Sequence, residues 1–109
     1  MKAALKYVGK YRYTLEDLKE IITILRAPDG CPWDREQDHK SLRRDFLAEC
    51  YEAIEAIDTE DTVLLREALG DVLFQLAFHS ELERAAGRFG LDALIRDVAA
   101  KMVQHTPHV

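Results

Sequence analysis

The sequence is poor in the residues that interrupt or staple a chain. It has two cysteines, three prolines, five glycines and one tryptophan in 109 residues. Cys31 and Cys50 lie 19 residues apart, which excludes a disulfide-rich scaffold and supplies no CxxC pair for zinc. A reduced, cytoplasmic setting is the simplest expectation. Apolar runs are short: Lys2 and Lys6 break up the N-terminal apolar residues, and no run approaches the roughly 18 residues of a membrane span. Positive charge is also scarce, with 15 Lys and Arg against 20 Asp and Glu, a net charge of −5. That excludes a broad grip on a nucleic-acid polymer, which needs clustered excess cations. A free polyanion is a partner only if a cation mediates.

The prolines stand at 28, 32 and 107, so Trp33 to Thr106 is free of the strongest helix breaker. The expected fold is all-α, one domain over 1–109, with residues 1–13 as an N-terminal extension. A first helix is expected over about 15–26, where Thr14 and Asp17 form a cap pair and Leu15, Leu18, Ile21, Ile22 and Leu25 recur at helical steps. Pro28, Asp29 and Gly30 end it and open a loop over 27–40. A second helix, about 41–58, carries Leu42, Phe46, Leu47, Cys50, Ala53, Ile54 and Ile57 on one face. The third, about 63–86, is apolar over most of its circumference, which predicts burial on several sides. The fourth, about 92–104, bears Leu94, Ile95, Val98, Ala99 and Met102 on one face. The expected architecture is an antiparallel four-helix unit completing its core as a homodimer.

Carboxylates stand where water should be scarce. On the second helix Asp45, Glu49 and Glu52 fall within about 60° of one another at the edge of the apolar face. On the third, Asp71 projects between Leu64, Phe78 and Leu82, on an arc shared with Ala68, Gln75 and His79 and carrying no Lys or Arg. Asp71 is therefore expected to be shielded from water, and a shielded carboxylate must be protonated, salt-bridged or metal-bound. If the two helices are antiparallel neighbours, Glu49 and Glu52 face Asp71. Oxygen ligands from two facing helices suit a hard divalent cation such as Mg²⁺, which keeps positions open for phosphate oxygens. Structural ion pairing is the alternative reading of the same residues.

Leu25-Arg26-Ala27-Pro28-Asp29-Gly30-Cys31-Pro32-Trp33-Asp34-Arg35-Glu36-Gln37 resembles the N-terminal signature of the MazG family of nucleoside triphosphate pyrophosphohydrolases. Leu69-Gly70-Asp71-Val72-Leu73-Phe74-Gln75, Gly87-Arg88-Phe89 and Pro107-His108-Val109 are similar to later family motifs, so the likeness spans Tyr13 to Val109. It implies an all-α fold, usually dimeric, that splits a nucleoside triphosphate into monophosphate and pyrophosphate with Mg²⁺, Mn²⁺ being a substitute. The family's EExxE and ExxD motifs read here Ala48-Glu49-Cys50-Tyr51-Glu52 and Ala68-Leu69-Gly70-Asp71. The resemblance thus carries Glu49, Glu52 and Asp71 over as metal ligands and catalytic residues. Ala48 replaces a non-ligand, whereas Ala68 replaces a ligand, with Glu67 beside the gap as a substitute or as an ordinary exposed glutamate. The family's Lys-x-x-Arg-Arg-His reads Lys101-Met102-Val103-Gln104-His105-Thr106, so Lys101 stays for the phosphates and Gln104 and His105 replace the arginine pair. The expected reaction is attack of water on the α-phosphorus, Lys101 steadying the leaving pyrophosphate. A catalytically eroded relative, kept for nucleotide sensing or protein association, is the rival reading.

Six further residues complete the expectations. Trp33 either stacks on a base or anchors the loop. Arg44, with Lys40 and Arg43, either reaches a triphosphate or pairs with Asp45 or Asp34. His79 reads as a hydrogen-bonded core residue ahead of a ligand, and Cys50 as a core-facing, inert thiol.

Overall fold

A computed structural model describes residues 2–10 and 12–105, the side chains of 2–4 excepted. Expectations that fall on Met1, Tyr11, Thr106 and the closing Pro107-His108-Val109 lie outside the described residues. A 3-10 helix, Lys2–Tyr7, precedes five α-helices: α1 (Leu15–Arg26), α2 (Pro32–Glu36), α3 (His39–Asp58), α4 (Thr62–Ala85) and α5 (Leu91–His105). The all-α expectation holds, and α1 keeps its expected bounds.

The ends of the helices follow from their capping chemistry. Thr14 accepts from the Asp17 N–H while the Asp17 carboxylate accepts from the Thr14 N–H, a reciprocal pair that fixes the start of α1. The expected loop over 27–40 contains a helix instead. Pro32 lacks the N–H that a first helical turn leaves unpaired, so it starts α2. Arg35 stitches the segment together by donating to the carbonyls of Pro28 and Gly30, 3.0 Å each. Gly30 is required by space: a Cβ there would sit 2.6 Å from the Ile24 carbonyl oxygen and closer still to that of Leu25. A second reciprocal cap, Asp38 with Ser41, starts α3 two residues earlier than its periodicity predicts.

α3 ends in a two-bond cap in which the Asp61 N–H reaches the Ala56 carbonyl and the Glu60 N–H reaches that of Ile57. Glu60 occupies the left-handed position, φ 53°. α4 ends the same way, with Gly87 at φ 77°. Asp61 then caps α4 by accepting from the Leu64 N–H.

The core gathers Ile22 of α1, Leu42 of α3, Ala77 and Phe78 of α4 and Leu91 of α5, ringed by Leu15, Leu18, Phe74 and Leu82. α3 and α4 are antiparallel: His39 meets His79, while Glu49 meets Asp71. Towards the far end of this hairpin the buried residues are small, Ala53, Ala56 and Ala68, which lets the helices approach closely.

Several expected burials are not made within the single chain. α4 is covered on part of its circumference only, leaving Leu69, Leu73 and Leu76 exposed. On α3 the same is true of Leu47, Ile54 and Ile57, and Cys50 is half-buried outside the core. α5 buries Leu91 and exposes Leu94, Ile95, Val98 and Met102. A helix hydrophobic all round tells how much surface wants cover, whereas one chain of this length supplies cover for only part of it.

Candidate divalent-cation site

Glu49 and Glu52 stand one turn apart on α3 and project towards Asp71 of α4. One ligand oxygen from each lies within 4.8 Å of the others. Two oxygens bound to one ion are at most about 4.2 Å apart for Mg²⁺ and about 5.2 Å for Ca²⁺, so the three need at most a small side-chain rotation to converge on a single hard cation. The donor set is all oxygen, which suits Mg²⁺, Mn²⁺ or Ca²⁺.

Glu49 is half-buried, and its Oε2 is buried without a hydrogen-bond partner. Its carboxyl is pushed up to about 6 by burial first, then by the charge of Asp71 and by Glu52. No described cation relieves it: the ion pairs lie elsewhere, at Lys6–Glu20, Lys10–Asp17, Lys19–Asp92, Arg84–Glu81 and Arg88–Glu83. An unpartnered buried oxygen among like charges is the pattern a bound cation would resolve.

The expectation that Asp71 is shielded from water is wrong. Asp71 and Glu52 are exposed, because the part of α4 around Asp71 forms the open rim of the hairpin while Ala68 and Gln75 face inward at 1% and 4% exposure. The site therefore has a dry side at Glu49 and a wet side at Asp71 and Glu52. Ala68, where the resemblance calls for a fourth carboxylate, is packed against α3 and offers no oxygen. Glu67 is exposed and is not among the three.

The remaining predicted residues are dispersed. Lys101 and His105 are exposed on α5 and Arg44 is exposed on α3. Arg43 turns its Nε back to the Lys40 carbonyl at 3.3 Å. Trp33 is 48% exposed and sets its edge against Phe78, ring centroids 6.4 Å apart at 72°. It packs α2 onto α4 and leaves about half of its surface exposed.

Sequence reasoning passed over His39, assigned to the loop. The signal was available in the antiparallel register, which sets the first turn of α3 near His79 once Glu49 faces Asp71. His79 is half-buried, with Nδ1 bonded to His39 and Nε2 buried and unpartnered. Gln75, between Asp71 and His79 on the same row of α4, also has a buried unpartnered atom, Oε1.

Residues 37–109 match the MazG nucleotide pyrophosphohydrolase domain, a stretch that includes the whole α3–α4 hairpin and its acidic trio. The chain belongs to this MazG domain family. It is 45% identical over 94 residues to the nucleoside triphosphate pyrophosphohydrolase/pyrophosphatase MazG of Thermotoga maritima, covering 86% of this chain and 37% of that protein. It is 38% identical over 96 residues to the nucleoside triphosphate pyrophosphohydrolase of Escherichia coli strain K12, covering 87% and 36%. The uncharacterized protein YabN of Bacillus subtilis is 47% identical over 91 residues, covering 84% of this MazG-domain chain and 19% of YabN. The chain thus spans between about a fifth and two fifths of the length of these relatives.

Proposed function

We propose that the chain hydrolyses nucleoside triphosphates to nucleoside monophosphate and pyrophosphate with a divalent cation, Mg²⁺ in the first place and Mn²⁺ as a substitute. The observation that carries this reading is the convergence of Glu49, Glu52 and Asp71 from facing helices, with one Glu49 oxygen buried and unpartnered. Glu49, Glu52 and Asp71 would hold the ion. When bound, such an ion supplies the positive charge that draws phosphate oxygens and makes water a better nucleophile. Glu49, pushed up to about 6, is mostly ionised at neutral pH and would meet the ion as a carboxylate, and the exposed side at Glu52 and Asp71 leaves room for a phosphate chain. Lys101, His105 and Arg44 are the cations proposed to meet the phosphates, and Trp33 offers its exposed face to the base.

The uncovered apolar faces of α3, α4 and α5 support a homodimer as the working unit. No helix among the described residues is long and apolar enough to cross a membrane. With Cys31 and Cys50 free, a reducing cytoplasmic setting fits.

One observation favours a second reading. Ala68 is packed and nearly inaccessible at the position of the missing ligand, as in a relative that keeps the scaffold for nucleotide sensing or association. Pyrophosphate release from each nucleoside triphosphate, with Mg²⁺ or Mn²⁺, separates the two. Release by this chain, abolished in Asp71→Asn, supports hydrolysis. Release only after Ala68→Glu supports erosion.

A further inference from the structure

The α3–α4 interface holds a second pair of facing groups near its other end. His39 and His79 point their Nδ1 atoms at one another across 2.7 Å. Their ring planes differ by 4° and their centroids are 5.0 Å apart. Parallel rings stacked face to face could not bring two nitrogens closer than van der Waals contact, so the imidazoles lie edge to edge in nearly one plane. Each aims an in-plane lone-pair direction at the other.

The flanking carboxylate sets the tautomer of His39. His39 Nε2 lies 3.6 Å from Glu83 Oε2, and Arg88 pairs with that same carboxylate and holds it ionised. A hydrogen on His39 Nε2 therefore faces an acceptor, leaving Nδ1 bare. Burial, then the neighbouring His39, holds the His79 pKa below its usual value, so His79 is neutral at pH 7. A cavity of about 160 Å³ reaches both rings, with Leu76, Ser80, Glu83 and Phe89 also lining it.

We propose that His39 and His79 bind a borderline transition-metal cation, Zn²⁺, Ni²⁺ or Cu²⁺, between their Nδ1 atoms, with Glu83 orienting His39 from its other nitrogen. Zinc–nitrogen bonds are about 2.0–2.1 Å, which places two tetrahedral nitrogens roughly 3.4 Å apart. The pair must open by about 0.7 Å and one ring must tilt so that both lone pairs converge on the ion, and the His39 side chain, 44% exposed, has the freedom to do so. Both imidazoles bind as neutral ligands: the hydrogen that the 2.7 Å contact places between the two Nδ1 atoms moves to His79 Nε2 as the cation takes its place. The carboxylate behind His39 is the outer partner that fixes tautomer and ring orientation in histidine metal sites. Nitrogen donors separate this site from the oxygen-only trio: Mg²⁺ prefers the trio, and the softer cations prefer the histidines. The bound ion straps the first turn of α3 to α4, whether or not the chain hydrolyses nucleotides.

Calorimetric titration of the 109-residue chain with Zn²⁺ in excess Mg²⁺, which occupies the trio, tests the proposal. One Zn²⁺ per chain is expected, with Glu83→Gln weakening it by roughly 10- to 100-fold. His39→Gln and His79→Gln are each expected to remove it. A second measurement needs no variant: in wild-type protein, Zn²⁺ should shift the ring ¹⁵N resonances of His39 and His79, at Nδ1 more than Nε2. No Zn²⁺ binding in excess Mg²⁺, binding unchanged by both histidine substitutions, or shifts at His105 and His108 instead would each overturn the proposal.

Discussion

Glu49 of α3 and Asp71 of α4 bring carboxyl oxygens within 4.8 Å of each other, with Glu49 on the dry side of the hairpin and Asp71 on the wet side. Two like charges this close, one of them desolvated, raise the proton affinity of the buried member, and Glu49 is pushed up to about 6. The same pair that is strained without a cation is complementary to one.

That strain has a measurable sign. The folded chain holds the Glu49 proton more tightly than the unfolded chain, whose glutamate titrates near 4.5. Stability contributed by this proton is complete below pH 4.5 and is lost as pH rises through about 6. Glu49→Gln should therefore melt above the parent at neutral pH without divalent cations, with the gap closing below pH 4.5. Thermal denaturation at both pH values checks it; an equal gap at both contradicts it.

Ala68→Glu places a fourth carboxylate at a position that is 1% exposed. Without a cation the variant should lose several kcal/mol of stability, since a buried charge without a partner is costly. With Mn²⁺ it should recover most of that loss. Melting curves with and without Mn²⁺ read both effects, and a variant indifferent to Mn²⁺ would place position 68 away from the ion.

The two helix ends make a matched control. Gly87 and Glu60 occupy equivalent left-handed cap positions, but only glycine does so freely, a non-glycine residue costing about 1 kcal/mol. Gly87→Ala should lower the melting temperature by about 4 °C and Glu60→Gly should raise it by a similar amount. Scanning calorimetry of the two variants tests the asymmetry.

The uncovered apolar surface predicts self-association. Leu73 on α4 and Val98 on α5 are 43% and 53% exposed. Sedimentation should find a dimer for the parent chain and a monomer of unchanged helical content for Leu73→Glu with Val98→Glu. A parent that stays monomeric over the accessible concentrations contradicts it.

Much of this was readable where a signal is local. Thr14, Asp17 and Pro28 set both ends of α1, and the three-residue step from Glu49 to Glu52, with the short link to α4, brought the acidic trio together on paper. α2 escaped because five residues are too few for a periodicity, and Pro32 reads as a breaker unless its place at a first turn is considered. The exposure of Asp71 escaped for another reason. Periodicity gives the angle of a residue around its own helix, whereas burial depends on where the neighbouring helix stops covering it. His39 was lost with α2, since a histidine assigned to a loop has no face.

Cation binding at the Glu49, Glu52 and Asp71 seam is the central claim, and calorimetric titration with Mn²⁺ measures it most directly. The account predicts one tightly held Mn²⁺ per chain at neutral pH, weaker below pH about 6 as Glu49 takes up its proton, and lost in Asp71→Asn. Mn²⁺ binding that is absent at neutral pH, or that survives Asp71→Asn unchanged, would contradict it.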